Sequence, residues 1–173
     1  MPSVLLSIGS NQGDRLSGLL EVSDKLPVMA GPVTGYSSVF ESEPWGFDAD
    51  TQFLNQVVEV RTRLDPLGLI AVLQEIETGM GRIRQPGGYQ SRTIDIDILF
   101  YDDRIIDTGN LQIPHPRLHL RRFVLEPLSE FRPAVIHPLM GLSVSQLLKD
   151  CEDKGKVRLY THRSELGKYF RSR

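Results

Sequence analysis

Apolar and polar positions follow two different rhythms along this chain, and the switches between them predict its elements. Val4 to Ile8 is a short apolar run ending at Gly9-Ser10-Asn11, the form of a strand entering a turn. Beyond it Leu16, Leu19, Leu20 and Leu26 recur at helical spacing, and Pro27 with the Gly31-Pro32 pair is expected to stop that helix. Val33 to Phe40 reads as a second strand on its β-branched and aromatic content, and Phe53 to Thr62, with Val57, Val58 and Val60, as a third. Asp65-Pro66 has the form of a helix cap followed by proline at the first helical position. The helix it opens carries Leu69, Ile70, Leu73, Ile76 and Glu77 towards Gly79.

The rhythm then lapses. Met80 to Ser91 is loop-like, with Gly81, Pro86, Gly87 and Gly88, before Thr93 to Tyr101 alternates as a strand. Leu111 to Leu120 holds His115 between Pro114 and Pro116 and is expected to be largely extended. Phe123 to Leu128 suggests a further short strand and Ser143 to Leu148 a brief helix. Strands gathered around two helices, without regular βαβ alternation, predict an α+β sandwich with a mainly antiparallel sheet. With no repeat, linker or low-complexity segment, residues 1–173 read as one domain.

Composition narrows the classes. An apolar fraction of 40% and a charged fraction of 24% are ordinary for a globular protein, and no segment approaches the ~20 apolar residues of a bilayer span. The first residues lack a basic stretch ahead of the apolar run, so they read as a strand rather than a secretory signal, and the cytoplasm is the expected location. Cys151 is the only cysteine, which excludes an internal disulfide and a zinc site of paired thiolates. A net charge of −2 supplies no general pull towards nucleic acid or membrane, so phosphate chemistry here must rest on a local cluster of cations.

Such a cluster is legible around one strand. Period-two alternation in Thr93-Ile94-Asp95-Ile96-Asp97-Ile98-Leu99 puts Asp95 and Asp97 on one face and Ile94, Ile96 and Ile98 on the other. The two aspartate Cα atoms stand ~6.7 Å apart at the usual strand rise. That is near enough for both carboxylates to converge on one hard cation or to bridge two. An isolated Asp-x-Asp is more often the solvated face of a strand. Here Arg82, Arg84 and Arg92 bracket a Pro-Gly-Gly loop that runs into the acidic strand. Alternating metal and guanidinium suits a polyphosphate, and a glycine-bearing loop beside it suits a lid. Gly9 to Arg15 lacks the Gly-Lys-Ser/Thr ending of a phosphate-binding loop and reads as turn and cap. His115, His119 and His137 have no metal-ligand spacing, although His115 is placed to donate to a phosphate.

These residues carry a resemblance. Ser91 to Leu99, together with Leu6 to Asn11, Phe40 to Gly46, Phe53-Leu54-Asn55, Gln74 through Glu77 to Gly81-Arg82, and Ile113 to Pro116, resembles the 6-hydroxymethyl-7,8-dihydropterin pyrophosphokinase family over residues 4–149. The resemblance implies a ferredoxin-like α+β fold and transfer of an intact diphosphate from ATP to the pterin's hydroxymethyl oxygen, releasing AMP, with two magnesium ions. It makes Asp95 and Asp97 the metal ligands and, with Arg82 and Arg92, the catalytic set. Gln74, Glu77, Arg84, Ile98, His115 and Arg121 fall on the nucleotide side. Ser42, Glu43, Pro44, Trp45, Phe53, Asn55 and Phe123 fall on the pterin side, with Phe53 and Phe123 stacking on the ring and Asn55 bonding its edge.

Tyr89 stands where the family can carry Trp, Gly88 and Asn110 where it can carry Arg, and Pro116 where it can carry Tyr. The basic tail from Cys151 to Arg173 lies outside the resemblance and receives no role. The expected partners are the two small substrates, with no nucleic acid and no membrane; no general base is named and the oligomeric state stays open. Rival readings are a two-metal nucleotidyltransferase that releases pyrophosphate, a ferredoxin-like RNA-binding module, and a nucleotide sensor without turnover.

Overall fold

A computed structural model describes residues 1–46, 50–81 and 94–170. In chain order the elements are β1 (Ser3–Ser10), α1 (Arg15–Met29), β2 (Val33–Tyr36), β3 (Val39–Ser42), β4 (Phe53–Arg61), α2 (Pro66–Gly79), β5 (Asp95–Tyr101), β6 (Ile106–Asp107) and β7 (Gln112–Ile113), then α3 (Arg122–Phe131), α4 (Val144–Asp150), β8 (Val157–Thr161) and α5 (Arg163–Phe170). The sheet runs β5-β1-β4-β3-β8, with β2 also on β4, and these pairings are antiparallel. β6 and β7 form a separate small ribbon.

Alternation along the central strands feeds two cores. Val4, Leu6 and Ile8 of β1, with Val58 and Val60 of β4 and Ile96 and Ile98 of β5, pack against Leu19 and Leu26 of α1 and Leu69, Leu73 and Ile76 of α2. On the opposite face Leu5, Val57, Leu99 and Phe100 pack against Val124, Leu125 and Leu128 of α3 and Val144 and Leu147 of α4. A register shift opposite Leu5 and Leu6 lets Leu99 and Phe100 both reach this second core. Helices on both faces of an antiparallel sheet make the ferredoxin-like α+β sandwich expected above.

The local signals held where their chemistry is local. Asp65 caps α2, its carboxylate accepting from Gly68 N at 2.7 Å, with Pro66 in the first turn. Ser143 and Gln146 close a reciprocal cap on α4. Pro27 does not stop α1, which runs on to Met29 because buried Leu26 keeps that turn on the core. The stop comes at Gly31, whose φ of +128° suits glycine and whose Cβ would lie 2.2 Å from Arg61 O.

Three further expectations are corrected. Val33 to Phe40 is two strands, broken at buried Ser37 and Ser38, where the Ser37 hydroxyl accepts from Val57 N in place of a backbone carbonyl. Phe123 to Leu128 is helical. Val124, Leu125 and Leu128 share one face only in a helix, and burying them contributes roughly 1.5–3 kcal/mol each. Together that outweighs the ~3 kcal/mol penalty of Pro127 inside the helix. Leu111 to Leu120 is extended only through β7 and the cis Ile113-Pro114 bond, then closes into a 3-10 turn at Leu118–Leu120. The stretch past Cys151 is structured: β8 extends the sheet beside β3, and Leu166 of α5 is buried in the first core. No helix among the described residues is long and apolar enough to cross a membrane.

Candidate active site

The second face of the sheet changes character along its length. On β1 the residues facing α3 run Leu5, Ser7, Gly9; on β4 they run Val57, Asn55, Phe53; on β5 they run Leu99, Asp97, Asp95. The first of each trio lies in the core under α3 and α4, and the other two line an open cavity of about 300 Å³ beyond the start of α3. Register aligns them, with Ser7 opposite Asp97 and Gly9 between Asp95 and Asn55. Ser42, Glu43 and Trp45 close one side of the cavity, and His115, Pro116, Arg117, Arg121, Phe123 and Val124 close the other.

The floor and walls suit a flat polar heterocycle. Gly9 adds no side chain to this floor; a Cβ there would make ordinary contacts, 3.5 Å from Asn55 Oδ1 and 4.0 Å from Phe53 Cδ1. Asn55 is buried, and its Nδ2 donates to Ser42 Oγ at 2.9 Å. The Trp45 and Phe123 rings lie 6.5 Å apart at 57°, and the Arg121 guanidinium sits 4.9 Å above Trp45 and 5.8 Å from Phe123.

Arg121 also reaches the acidic end, with Nη1 4.0 Å from Asp97 Oδ2. His115 Nε2 lies 3.8 Å from the same oxygen. Burial, helped by the Arg121 charge and opposed by Asp95, pushes the His115 pKa down to about 4. The ring is therefore neutral at pH 7, and the contact with Asp97 is not an ion pair. Its Nδ1 accepts from Arg117 N at 3.1 Å, which puts the ring proton on Nε2, the nitrogen facing the carboxylate.

A second cavity of about 250 Å³ adjoins the first. Ile70, Ile96, Ile98 and Leu111 make it mostly aliphatic, with Gly109, Asn110 and Gln112 at its polar edge. Asp97, His115 and Pro116 line both cavities and form the boundary between them.

Of the residues singled out in the sequence, Asp95, Asp97, His115, Arg121, Ser42, Glu43, Trp45, Phe53, Asn55 and Phe123 come together in the first cavity, and Ile98 joins the second. Pro44 sits between two lining residues without lining the cavity itself. Glu77 is buried on α2, with Oε1 accepting from Ile96 N at 2.8 Å, and neither it nor Gln74 lines either cavity. Arg82, Arg84 and Arg92, with Gly88 and Tyr89, lie outside the described residues. Sequence reasoning missed Ser7, Arg117 and Val124 in the first cavity, and Ile70, Ile96, Gly109, Leu111 and Gln112 in the second. It read Gly9 as a turn, although Gly9 stands on β1. The alternation Leu5-Ser7-Gly9 was the available signal; the missed residues of the second cavity had none, because they meet only through the fold.

Residues 5–133 match the family model described as 7,8-dihydro-6-hydroxymethylpterin-pyrophosphokinase (HPPK). The chain belongs to this family. The 2-amino-4-hydroxy-6-hydroxymethyldihydropteridine pyrophosphokinase of Aquifex aeolicus is 41% identical over 139 residues, covering 80% of this chain and 86% of that one. Its counterpart in Porphyromonas gingivalis is 40% identical over 141 residues, covering 80% and 95%. Among solved structures, the wild-type Plasmodium falciparum HPPK-DHPS with pteroate superposes with a TM-score of 0.70 at 17% identity. The superposition covers 86% of this chain and 44% of that one, so this chain spans less than half of the longer protein, and the likeness speaks for the fold. HPPK membership carries the family's reaction, ATP-dependent transfer of pyrophosphate to hydroxymethyldihydropterin in folate biosynthesis, and does not favour the nucleotidyltransferase reading.

Proposed function

We propose that this transfer takes place over Asp95 and Asp97, with the pterin alcohol in the first cavity and the adenine of ATP in the second. The observation that carries the assignment is the boundary: Asp97 and His115 belong to both cavities, so a group passed from one ligand to the other must cross them. Phe53 and Phe123 stack on the pterin ring and Asn55 bonds its edge, while Ile70, Ile98 and Leu111 cover the adenine. The pterin hydroxymethyl oxygen attacks the β-phosphorus and gives up its proton to solvent, the bond from that phosphorus to the α,β-bridging oxygen breaks, and AMP leaves.

Asp95 and Asp97 fit magnesium. They offer hard oxygen donors side by side at the cavity rim. An ion held by these two carboxylates would complete its shell with substrate phosphates and water. Two magnesium ions held by Asp95 and Asp97 would supply charge neutralisation to the phosphate oxygens and Lewis acidity. The protein's part is positioning and fixed charge. Neutral His115 donates through Nε2–H to a phosphate oxygen. Arg121 holds its guanidinium between the aromatic walls and the acidic edge. Arg82 and Arg92 are assigned to the phosphates, and Gln74, Glu77 and Arg84 to the nucleotide side, on the family resemblance. We assign the activity to the cytoplasm, where ATP is available as its substrate.

The test is product analysis. Incubated with ATP, magnesium and the reduced pterin alcohol, the chain is expected to form AMP and the pterin diphosphate in equal amounts, with no product in EDTA. Release of pyrophosphate instead of AMP would overturn the proposal.

A further inference from the structure

The stretch past α4, to which the sequence assigned no role, grips both walls of the first cavity. One wall is the start of α3, where Arg121, Phe123 and Val124 line the cavity. That helix has no cap of its own: Arg121 stands at the N-cap without a side-chain hydrogen bond, and a helix start leaves backbone N–H groups in need of acceptors. Asp153 provides one from 31 residues away. Its Oδ2 accepts from Arg122 N at 3.0 Å, and its backbone oxygen accepts from Arg122 Nε at 2.8 Å. A carboxylate there also meets the positive end of the helix dipole. Asp153 is itself held, with Oδ1 accepting from Gly155 N at 2.8 Å.

The other wall is the end of β3. Ser42 lines the cavity and accepts from Asn55, and β8 lies alongside with Val157 opposite Ser42 and Arg158 opposite Glu41. Arg158 Nε and Nη2 donate to Glu41 Oε1 at 3.0 and 2.6 Å. From the other side Arg15 Nη1 donates to Glu41 Oε2 at 3.0 Å and to Gln52 O at 2.7 Å. Glu41 and Gln52 directly precede Ser42 and Phe53, so the two guanidinium groups hold the backbone on which both cavity residues stand.

From this geometry we infer that Asp153 and Arg158 are positioning residues for the pterin site: the 151–161 stretch clamps both cavity walls without entering the cavity. The inference rests on the reading of the first cavity as the pterin's. It separates from a general stabilising role because neither residue contacts the second cavity, whose lining comes from α2, β5 and residues 109–116. The KM for ATP is therefore an internal control.

Asp153→Ala is expected to raise the KM for the pterin alcohol about tenfold and Arg158→Ala about threefold, with the KM for ATP within about twofold of wild type. Asp153→Asn keeps an acceptor oxygen and is expected to restore most of the loss. The Arg158 side chain is 72% exposed, so its variant folds and carries the test even if Asp153→Ala does not. A pterin KM unchanged in Arg158→Ala and in folded Asp153→Ala, or pterin and ATP KM values rising together, overturns the inference. Calorimetry of wild type with the pterin and a non-hydrolysable ATP analogue separates the two readings. A wild type that bound no pterin removes the cavity assignment and this inference with it, whereas normal binding with unaffected variants removes this inference alone.

Discussion

Two ends of one sheet face are made from the same three strands, by the same alternation, and do opposite things. At one end Leu5, Val57 and Leu99 lie under α3 and α4. A few residues along, Ser7 and Gly9, Asn55 and Phe53, and Asp97 and Asp95 point the same way into an open cavity. β1 and β4 keep one register across the boundary while β5 shifts by a residue opposite Leu5 and Leu6; what divides core from cavity is that α3 begins there. Past that point the polar groups of this face are no longer desolvated by a helix. The covered end fixes the spacing of the strands, and the open end uses it.

The sharpest break in this comparison is expected from Asp97→Ala. Turnover should fall on the order of 10³-fold or more, while the urea midpoint stays near wild type because the Asp97 side chain is 39% exposed. Steady-state AMP release beside a urea melt checks both, and near-normal magnesium-dependent turnover would remove the metal role. The covered end should give the reverse. Leu128→Ala empties a fully buried position and is expected to lower stability by roughly 2–5 kcal/mol. The folded fraction should keep wild-type KM values for both substrates.

A third experiment uses pH at the boundary. The folded His115 pKa of about 4 lies below the unfolded value near 6.5, so the unfolded chain takes up a proton first as pH falls. Stability contributed at this site is present above pH 6.5 and is lost between pH 6.5 and 4, by up to about 3 kcal/mol. Urea melts across that range should slope less in His115→Gln than in wild type. NMR titration of the ring near pH 6.5 in the folded chain would contradict the neutral assignment.

Local features were readable because their physics is local. Asp65 before Pro66 announced a capped helix, and the stripe Leu69, Leu73, Ile76 announced the face that it buries. The spacing of Asp95 and Asp97 placed both carboxylates opposite Ile96 and Ile98, as found. Phe123 to Leu128 was misread because a six-residue segment is too short to separate the two periods, and Pro127 weighs against a helix. Pro27 misled in the same way, since burial of Leu26 overrides the breaker.

What the sequence by itself determined is which residues share a face: a period of two or of 3.6 follows from backbone geometry and needs no partner. It determined the family as well, because motif order survives without coordinates. Only the tertiary structure decided what covers each face. Antiparallel pairing set Gly9 between Asp95 and Asn55, the start of α3 divided core from cavity, and Asp97 and His115 became the wall between two cavities. The acidic pair is a solvated strand face or a phosphate site according to those long-range contacts, which no local rhythm encodes.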